Sequence, residues 1–337
     1  MRVGITYNLK SDFTLPSGAS LPEDASEEFD LPETIEAIRG VLGEEGHEVF
    51  LLGGDLGMIE KIEKNQVDFI FNIAEGSSGR SREAQIPAVL ELLKIPYSGS
   101  DPLGMAVTLD KSLAKRVALS LGVPTPQFWI VDPSASAKDL PDRFPLFVKP
   151  LWEGSSKGIR YTSRVQNRSQ LLHEIERLSE DYLDEPILVE EYIPGREMTV
   201  GILGNKEPEV LGIMEIAFRD PKKKDFCYSL EVKRRWRELV DYHFPARLEP
   251  SVDESIRKAS VRLFQTLGLR DVARFDFRLN PEGEFFFLEA NPLPGLAPDC
   301  GDFVLLAQKK GWSYRDLILK IMRSAMSRYP RLSKVQV

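Results

Sequence analysis

Cysteine is almost missing from this chain: Cys227 and Cys300 are the only two in 337 residues, which excludes a disulfide framework and a thiolate-rich metal site. Histidine is nearly as scarce, and His47, His173 and His243 lie too far apart for metal-ligand spacing, so they read as ordinary core or surface residues. No apolar run approaches the roughly eighteen residues of a membrane span, and the opening MRVGITY has no signal-peptide layout. Excess positive charge is lacking too. A formal charge of −8 argues against general nucleic-acid binding while leaving room for a local basic site. There is also no G-x-x-x-x-G-K-S/T loop, no G-x-G-x-x-G and no H-E-x-x-H, which removes the common nucleotide and zinc signatures. The expectation is a cytoplasmic protein without membrane or nucleic-acid partners.

What is present is a globular composition, 42% hydrophobic and 28% charged, in a chain long enough for two or three domains. Arg2 to Tyr7, Glu48 to Leu52 and Phe69 to Ile73 read as short strands. Between the first two, Ile35, Ile38, Val41 and Leu42 share one helical face, with Asp30 and Glu33 spaced as a capping box and Gly46 near the end. This is a β-α-β opening to a parallel sheet. Asn8 to Phe29 interrupts it with Ser, Asp, Glu, Pro and Gly; a loop so long is a functional lid or is disordered. After the third strand, Ala74 to Arg80 forms a Gly/Ser loop at a strand's carboxyl end. Ligands of open α/β sheets bind there, so Glu75 and Arg80 are substrate-contact candidates.

The densest chemistry lies in Val272 to Gly295. Val272, Arg274, Asp276 and Arg278 alternate with Ala273, Phe275, Phe277 and Leu279, the period of a strand with one buried face. Asn280-Pro281-Glu282-Gly283 reads as a turn, and a second strand runs from Glu284 to Ala290. Asp276, Glu289 and Asn291 can therefore converge as hard oxygen ligands suited to Mg²⁺ shared with substrate phosphates, with Arg274 beside the ion.

Other segments supply the matching half of a nucleotide site. Lys111 opens a helix, Lys149 ends a strand, and Trp152 to Gly158 is a small-residue loop before an expected strand at Ile159 to Thr162. Such a loop leaves backbone N–H groups free to cradle phosphate while Lys149 adds a point charge. Ile187 to Ile193 delivers Glu190 and Glu191 into Pro194-Gly195, a strand end able to offer backbone to a base edge and carboxylate to a ribose. Arg219 to Arg237 holds eight Lys/Arg against three acids and reads as a mobile lid that brings cations over phosphates. Helices are expected at Ser251 to Leu267, Phe303 to Gln308 and Tyr314 to Met326.

The stretches YSGSDPLGMAVTLDKSLAKR, FVKPLWEGSSKGI, LVEEYIPGREMTV and RFDFRLNPEGEFFFLEANPLPG together resemble the ATP-grasp superfamily, and more closely the D-alanine-D-alanine ligase family, from about Phe69 to Tyr314. The resemblance implies an α/β, or α+β ATP-grasp, fold. A parallel-sheet N-terminal domain (1–104) would precede a central subdomain (105–200) and a C-terminal one (201–337), the last two sandwiching ATP. It implies that Lys111 and Lys149 hold ATP phosphates, that Ser155 and Ser156 lie in the glycine-rich loop, and that Glu190, Tyr192, Ile193 and Glu197 line the adenosine pocket. Lys233 would reach the γ-phosphate, and Asp276, Glu289 and Asn291 would carry two Mg²⁺ ions, Mn²⁺ being an alternative. Arg274 and the backbone N–H of Gly295 would stabilise an oxyanion.

The implied reaction is attack of a carboxylate on ATP to give an acyl phosphate, then attack by an amine to give an amide. Positioning and charge neutralisation carry such chemistry. The partners are small amino-acid substrates, and a homodimer is compatible. A phosphotransferase or an ATP-binding regulatory module on the same fold are the alternatives. The amino-acid half departs from the family: the N-terminal Gly-Gly with its Ser and Glu is absent after Tyr7, Ala74-Glu75-Gly76 replaces a His-Gly loop, and Asp299-Cys300 stands where a substrate-binding serine is expected. Glu75 is the candidate substitute for the ammonium anchor, with an acid from the 8–29 loop as the alternative. A ligase for another amino-acid or dipeptide pair therefore stands beside the D-alanine reading.

Overall fold

The computed structural model describes residues 1–12, 22–76, 78–132, 140–183, 185–220, 222, 227–330 and 332. The N-terminal lobe consists of β1 (Arg2–Thr6), α1 (Pro32–Glu44), β2 (Glu48–Leu51), α2 (Gly57–Asn65), β3 (Phe69–Asn72) and α3 (Arg82–Leu93). Its sheet is parallel in the order β2-β1-β3, as the β-α-β pattern requires. The capping box expected at Asp30 and Glu33 does not form: α1 starts on Pro32 behind Leu31, without a side-chain cap. Asp30 instead makes a backbone bridge with Leu9. Helices α4 (Pro102–Leu109) and α5 (Lys111–Ser120) follow, each capped by an aspartate, Asp101 and Asp110. Residue 104 lies inside α4, so the expected domain edge there falls within a helix.

The central sheet comprises β4 (Phe128–Val131), β5 (Leu146–Pro150), β6 (Arg164–Val165) and β7 (Ile187–Glu191), backed by α6 (Arg168–Asp181). Its order is β4-β7-β5-β6 and every pairing is antiparallel. The strand expected at Ile159 to Thr162 is absent. Gly158 gives its N–H to Asp24, the Ile159 carbonyl accepts from Leu230, and a 3₁₀ turn occupies Tyr161–Ser163. With its backbone groups already engaged, this segment has nothing left for a strand partner.

The C-terminal sheet is built from β8 (Arg196–Gly204), β9 (Glu209–Phe218), β10 (Val240–His243), β11 (Asp271–Leu279) and β12 (Phe285–Asn291) in the antiparallel order β10-β9-β8-β11-β12. β8 pairs with β11 along its full length, so the change of sheet falls at Pro194-Gly195 and not at residue 200. The basic stretch contributes two short helices, α7 (Leu230–Arg234) and α8 (Trp236–Leu239); Pro221 and Lys223 to Phe226 lie outside the described residues. Helix α9 (Pro250–Thr266) buries Ile256, Ala259, Ser260, Leu263 and Phe264, a spacing that puts one stripe on the sheet. Two closing helices, α10 (Asp302–Lys309) and α11 (Tyr314–Ser327), send Phe303, Leu317 and Met322 into one core with Val3, Ile5, Ile38 and Phe71 of the first lobe. Buried Asp271 fixes this junction, accepting from Gly99 N–H, Asn205 and Arg328. Among the described residues no helix is long and apolar enough to cross a membrane.

Candidate active site

The three lobes meet around a cavity of about 600 Å³. β11 and β12 supply its floor. In their register Arg274 faces Asn291 and Asp276 faces Glu289, with an irregularity just after Asp276. The side chains do converge: Asn291 Nδ2 lies 3.1 Å from Asp276 Oδ2 and 3.5 Å from Glu289 Oε1. Asp276 also accepts from Thr199 at 2.7 Å and from the Arg274 guanidinium at 2.8 Å. Among the described residues the Glu289 carboxylate has Asn291 at 3.5 Å and Lys111 at 3.9 Å, so its oxygens keep acceptor capacity toward the cavity. Burial would raise the Glu289 carboxyl, but Lys111, Lys149 and Arg274 hold it below the usual range. Two carboxylates and a carboxamide are an oxygen-only donor set that fits a hard divalent cation.

The expected phosphate cations Lys111 and Lys149 line the same cavity, tied more tightly than the sequence suggests. Lys149 Nζ is 2.7 Å from Glu190, and Lys115 reaches the same carboxylate at 2.8 Å. Burial of Glu190 is overcome by these two lysines, which hold it at about 2. Glu190 is therefore a buried counter-ion that positions Lys149, and its carboxylate does not remain free for a ribose. Lys115 was missed by sequence reasoning although it lies one helical turn after Lys111, the spacing that puts two side chains on one face. Lys111 donates to the Glu153 carbonyl.

Ser155 and Ser156 adopt left-handed backbone, with φ of 53° and 62°, a curvature that gathers backbone N–H groups into an anion-binding concavity. Gly158 is required beyond them: its φ is 72°, and a Cβ there would run into the Pro150 ring. Lys233, on α7, donates to the Ser155 carbonyl at 3.0 Å, which seats the basic segment over the Gly/Ser loop.

Tyr192 and Ile193 line the cavity where β7 ends. The Tyr192 hydroxyl accepts from Arg278 at 3.2 Å, and Arg278 pairs with Glu197 at 3.4 Å. Burial pushes Glu197 up to about 7 in spite of Arg278. Gly295 lines the cavity, as Arg274 does.

The amino-acid half is where expectation and structure part. Asp299 is exposed and does not line the cavity, whereas Cys300, Gly301 and Asp302 do. Asp302, not signalled by any local pattern, sits 3.8 Å from the Arg274 guanidinium, and burial raises its carboxyl. Arg80 does not line the cavity and pairs with Asp110 at 2.9 Å. Glu75 faces the cavity.

The described part of the 8–29 loop folds over as a strap. Buried Asp24 accepts from Gly158 N–H at 2.9 Å, Arg160 at 2.8 Å and Tyr182 at 2.7 Å. Glu28 bridges Arg82 at 2.8 Å and Lys157 at 3.1 Å, and Glu27 bridges Lys10 and Arg234.

Two antiparallel α+β lobes that close a Gly/Ser loop and buried lysines over a paired-carboxylate hairpin, behind a parallel-sheet lobe, define an ATP-grasp protein. Solved structures agree: the D-alanine–D-alanine ligase of Bacillus anthracis complexed with ATP superposes with a TM-score of 0.73 over 97% of this chain and 98% of that one at 22% identity. The VanG D-Ala:D-Ser ligase of Enterococcus faecalis gives 0.71 over 96% and 99% at 21% identity. The family model for the D-ala D-ala ligase C-terminus matches residues 120–323. The D-alanine–D-alanine ligase of Aquifex aeolicus is 32% identical over 85% of this chain and 92% of its own length. An uncharacterized Sinorhizobium fredii protein, y4sG, is 36% identical over 87% and 88%. The chain belongs to the D-alanine–D-alanine ligase family, a family of ATP-dependent carbon–nitrogen ligases.

Proposed function

We propose that this chain joins the carboxylate of one amino acid to the amine of a second, with conversion of ATP to ADP and phosphate through an acyl phosphate of the first. The observation that carries this reading is the convergence on one cavity of Lys111, Lys149 and Lys233, the donors Asp276, Glu289 and Asn291, and Arg274. Lys149, fixed by Glu190, and Lys111 neutralise phosphate oxygens, and Lys233 with the Ser155-Ser156 loop encloses the transferring group. Asp276, Glu289 and Asn291 would hold Mg²⁺, which when bound supplies charge neutralisation to the phosphates. Arg274, with the N–H of Gly295, meets the oxyanion that develops when the amine attacks. Glu75 answers the ammonium of the donor amino acid.

D-alanine with D-alanine is the pair that the relatives' names give, and it is the reference pair here. The test is ADP release over pairs of D- and L-amino acids, with mass spectrometry of the product. ADP release that needs both an acid and an amine, and yields their amide, supports the ligase. Release with the acid alone, at an undiminished rate, would make the protein a phosphotransferase.

A further inference from the structure

The donor end of the cavity carries more carboxyl groups than one ammonium answers. Among the carboxyls that line it, Glu27, Glu28 and Glu153 are engaged by Lys10, Arg82, Lys157 and Arg234. Asp30, Glu75 and Glu83 also line it, and among the described residues none of these three has a cation within 4 Å. Glu83 is 9% exposed, and its Oε2, fully shielded from solvent, has no hydrogen-bond partner. The three come from separate elements: Asp30 precedes α1, Glu75 follows β3, and Glu83 lies in the first turn of α3. Three carboxyls held at one end of a cavity without a cation in contact are destabilised by desolvation when ionised, so each either keeps its proton or is met by an entering cation. Burial pushes Asp30 up to about 7 against Lys10, and pushes Glu83 up to about 7 against Arg82 and Lys111; Glu75 is raised well above the usual range by burial, with repulsion from Glu83, Glu28 and Asp30 added.

We propose that Asp30, Glu75 and Glu83 form a subsite for a donor with two cationic groups, a diamino acid whose α-ammonium meets Glu75 and whose side-chain ammonium lies between Glu83 and Asp30. This deepens, and rests on, the ligase reading above. Leu31, just before α1, Thr34 within it and Glu83 at the start of α3 line the wall, so the side chain extends along the first lobe.

The test separates donor selection from acceptor selection by trapping the acyl phosphate with hydroxylamine, which displaces phosphate and leaves a hydroxamate. Donors are the D and L forms of alanine, 2,3-diaminopropionate and ornithine, with wild type and Glu83→Gln. Removing a buried charge partner leaves an ammonium desolvated and unpaired, so a diamino donor should exceed alanine in kcat/KM at least about tenfold. Glu83→Gln should narrow that ratio about tenfold or more through the diamino donor's KM. Alanine as the equal or better donor, or a ratio unmoved in Glu83→Gln, overturns the subsite and leaves the ligase intact. Calorimetry with a nonhydrolysable ATP analogue present gives the converse. A diamino acid that binds wild type but not Glu83→Gln, with no turnover of any donor, keeps the subsite and defeats the ligase reading.

Discussion

Glu83→Gln should stabilise the ligand-free protein, and increasingly so as pH rises. The Glu83 carboxyl is pushed from an ordinary 4.5 up to about 7 by burial first, against Arg82 and Lys111 and with Glu28 and Glu153 adding repulsion. A raised carboxyl contributes stability that is fully present below about pH 4.5, where it is protonated folded and unfolded alike, and is lost as pH climbs through about 7. A carboxyl that titrates one pH unit higher in the folded chain than in the unfolded one loses about 1.4 kcal/mol by this route. Between pH 5 and pH 8 the difference that opens is on the order of 2 kcal/mol, and relief of Glu75, which the Glu83 charge raises, adds to it. Glutamine keeps the shape and the hydrogen-bonding capacity but has no charge to desolvate. Urea unfolding of both proteins at pH 5, 6, 7 and 8 reads this as a stability difference that opens toward alkaline pH. Asp30, Glu185 and Glu197, also pushed up to about 7, titrate in both proteins and cancel. Parallel curves across the range would refute the claim that Glu83 is held as an unanswered acid.

Glu289→Gln should lower turnover by well over tenfold with the fold retained, because a neutral amide is a poor substitute for a carboxylate that shares a cation; circular dichroism and ADP release together check it. Glu190→Gln should destabilise by about 3–5 kcal/mol, since it strands Lys115 and Lys149 buried beside each other, and a mere surface-sized loss in denaturant titration would contradict the counter-ion role. Asp302→Asn should act on the second substrate, changing the acceptor's KM while hydroxamate formation from the donor persists. Equal loss in both assays would place Asp302 in general support of Arg274.

The hairpin of β11 and β12 was legible because everything that defines it is local: a period-two pattern, a four-residue turn and apolar phenylalanines opposite the polar face. The same holds for the parallel opening and for α9, whose stripe is visible at helical spacing. Side-chain partners were not legible. Glu190 reads as a free acid at a strand end, and only the meeting of β7 with α5 shows that Lys115 consumes it. Asp30 and Glu33 have the spacing of a capping box, but a tertiary bridge to Leu9 wins over the local signal. Asp24 and Glu28 reach partners more than a hundred residues away, at separations where no sequence periodicity exists. Asp302 follows a loop with no pattern at all.

The strap joins the proposed donor subsite and the Gly/Ser loop through one set of charges. Glu28 holds Arg82 on the first lobe and Lys157 on the Gly/Ser loop of the central lobe, while Glu27 holds Arg234 immediately after the lysine that caps that loop. Arg82 is followed directly by Glu83, and Glu28 precedes Asp30 by two residues, so the clamp that joins the lobes fixes the positions of two acids of the donor subsite. A cation entering between Glu83 and Asp30 bears on the same short segments that grip the phosphate loop. In the proposed subsite, charge at the far end of the donor would be coupled to the Gly/Ser loop through these hydrogen-bonded neighbours, without any long-range change of fold.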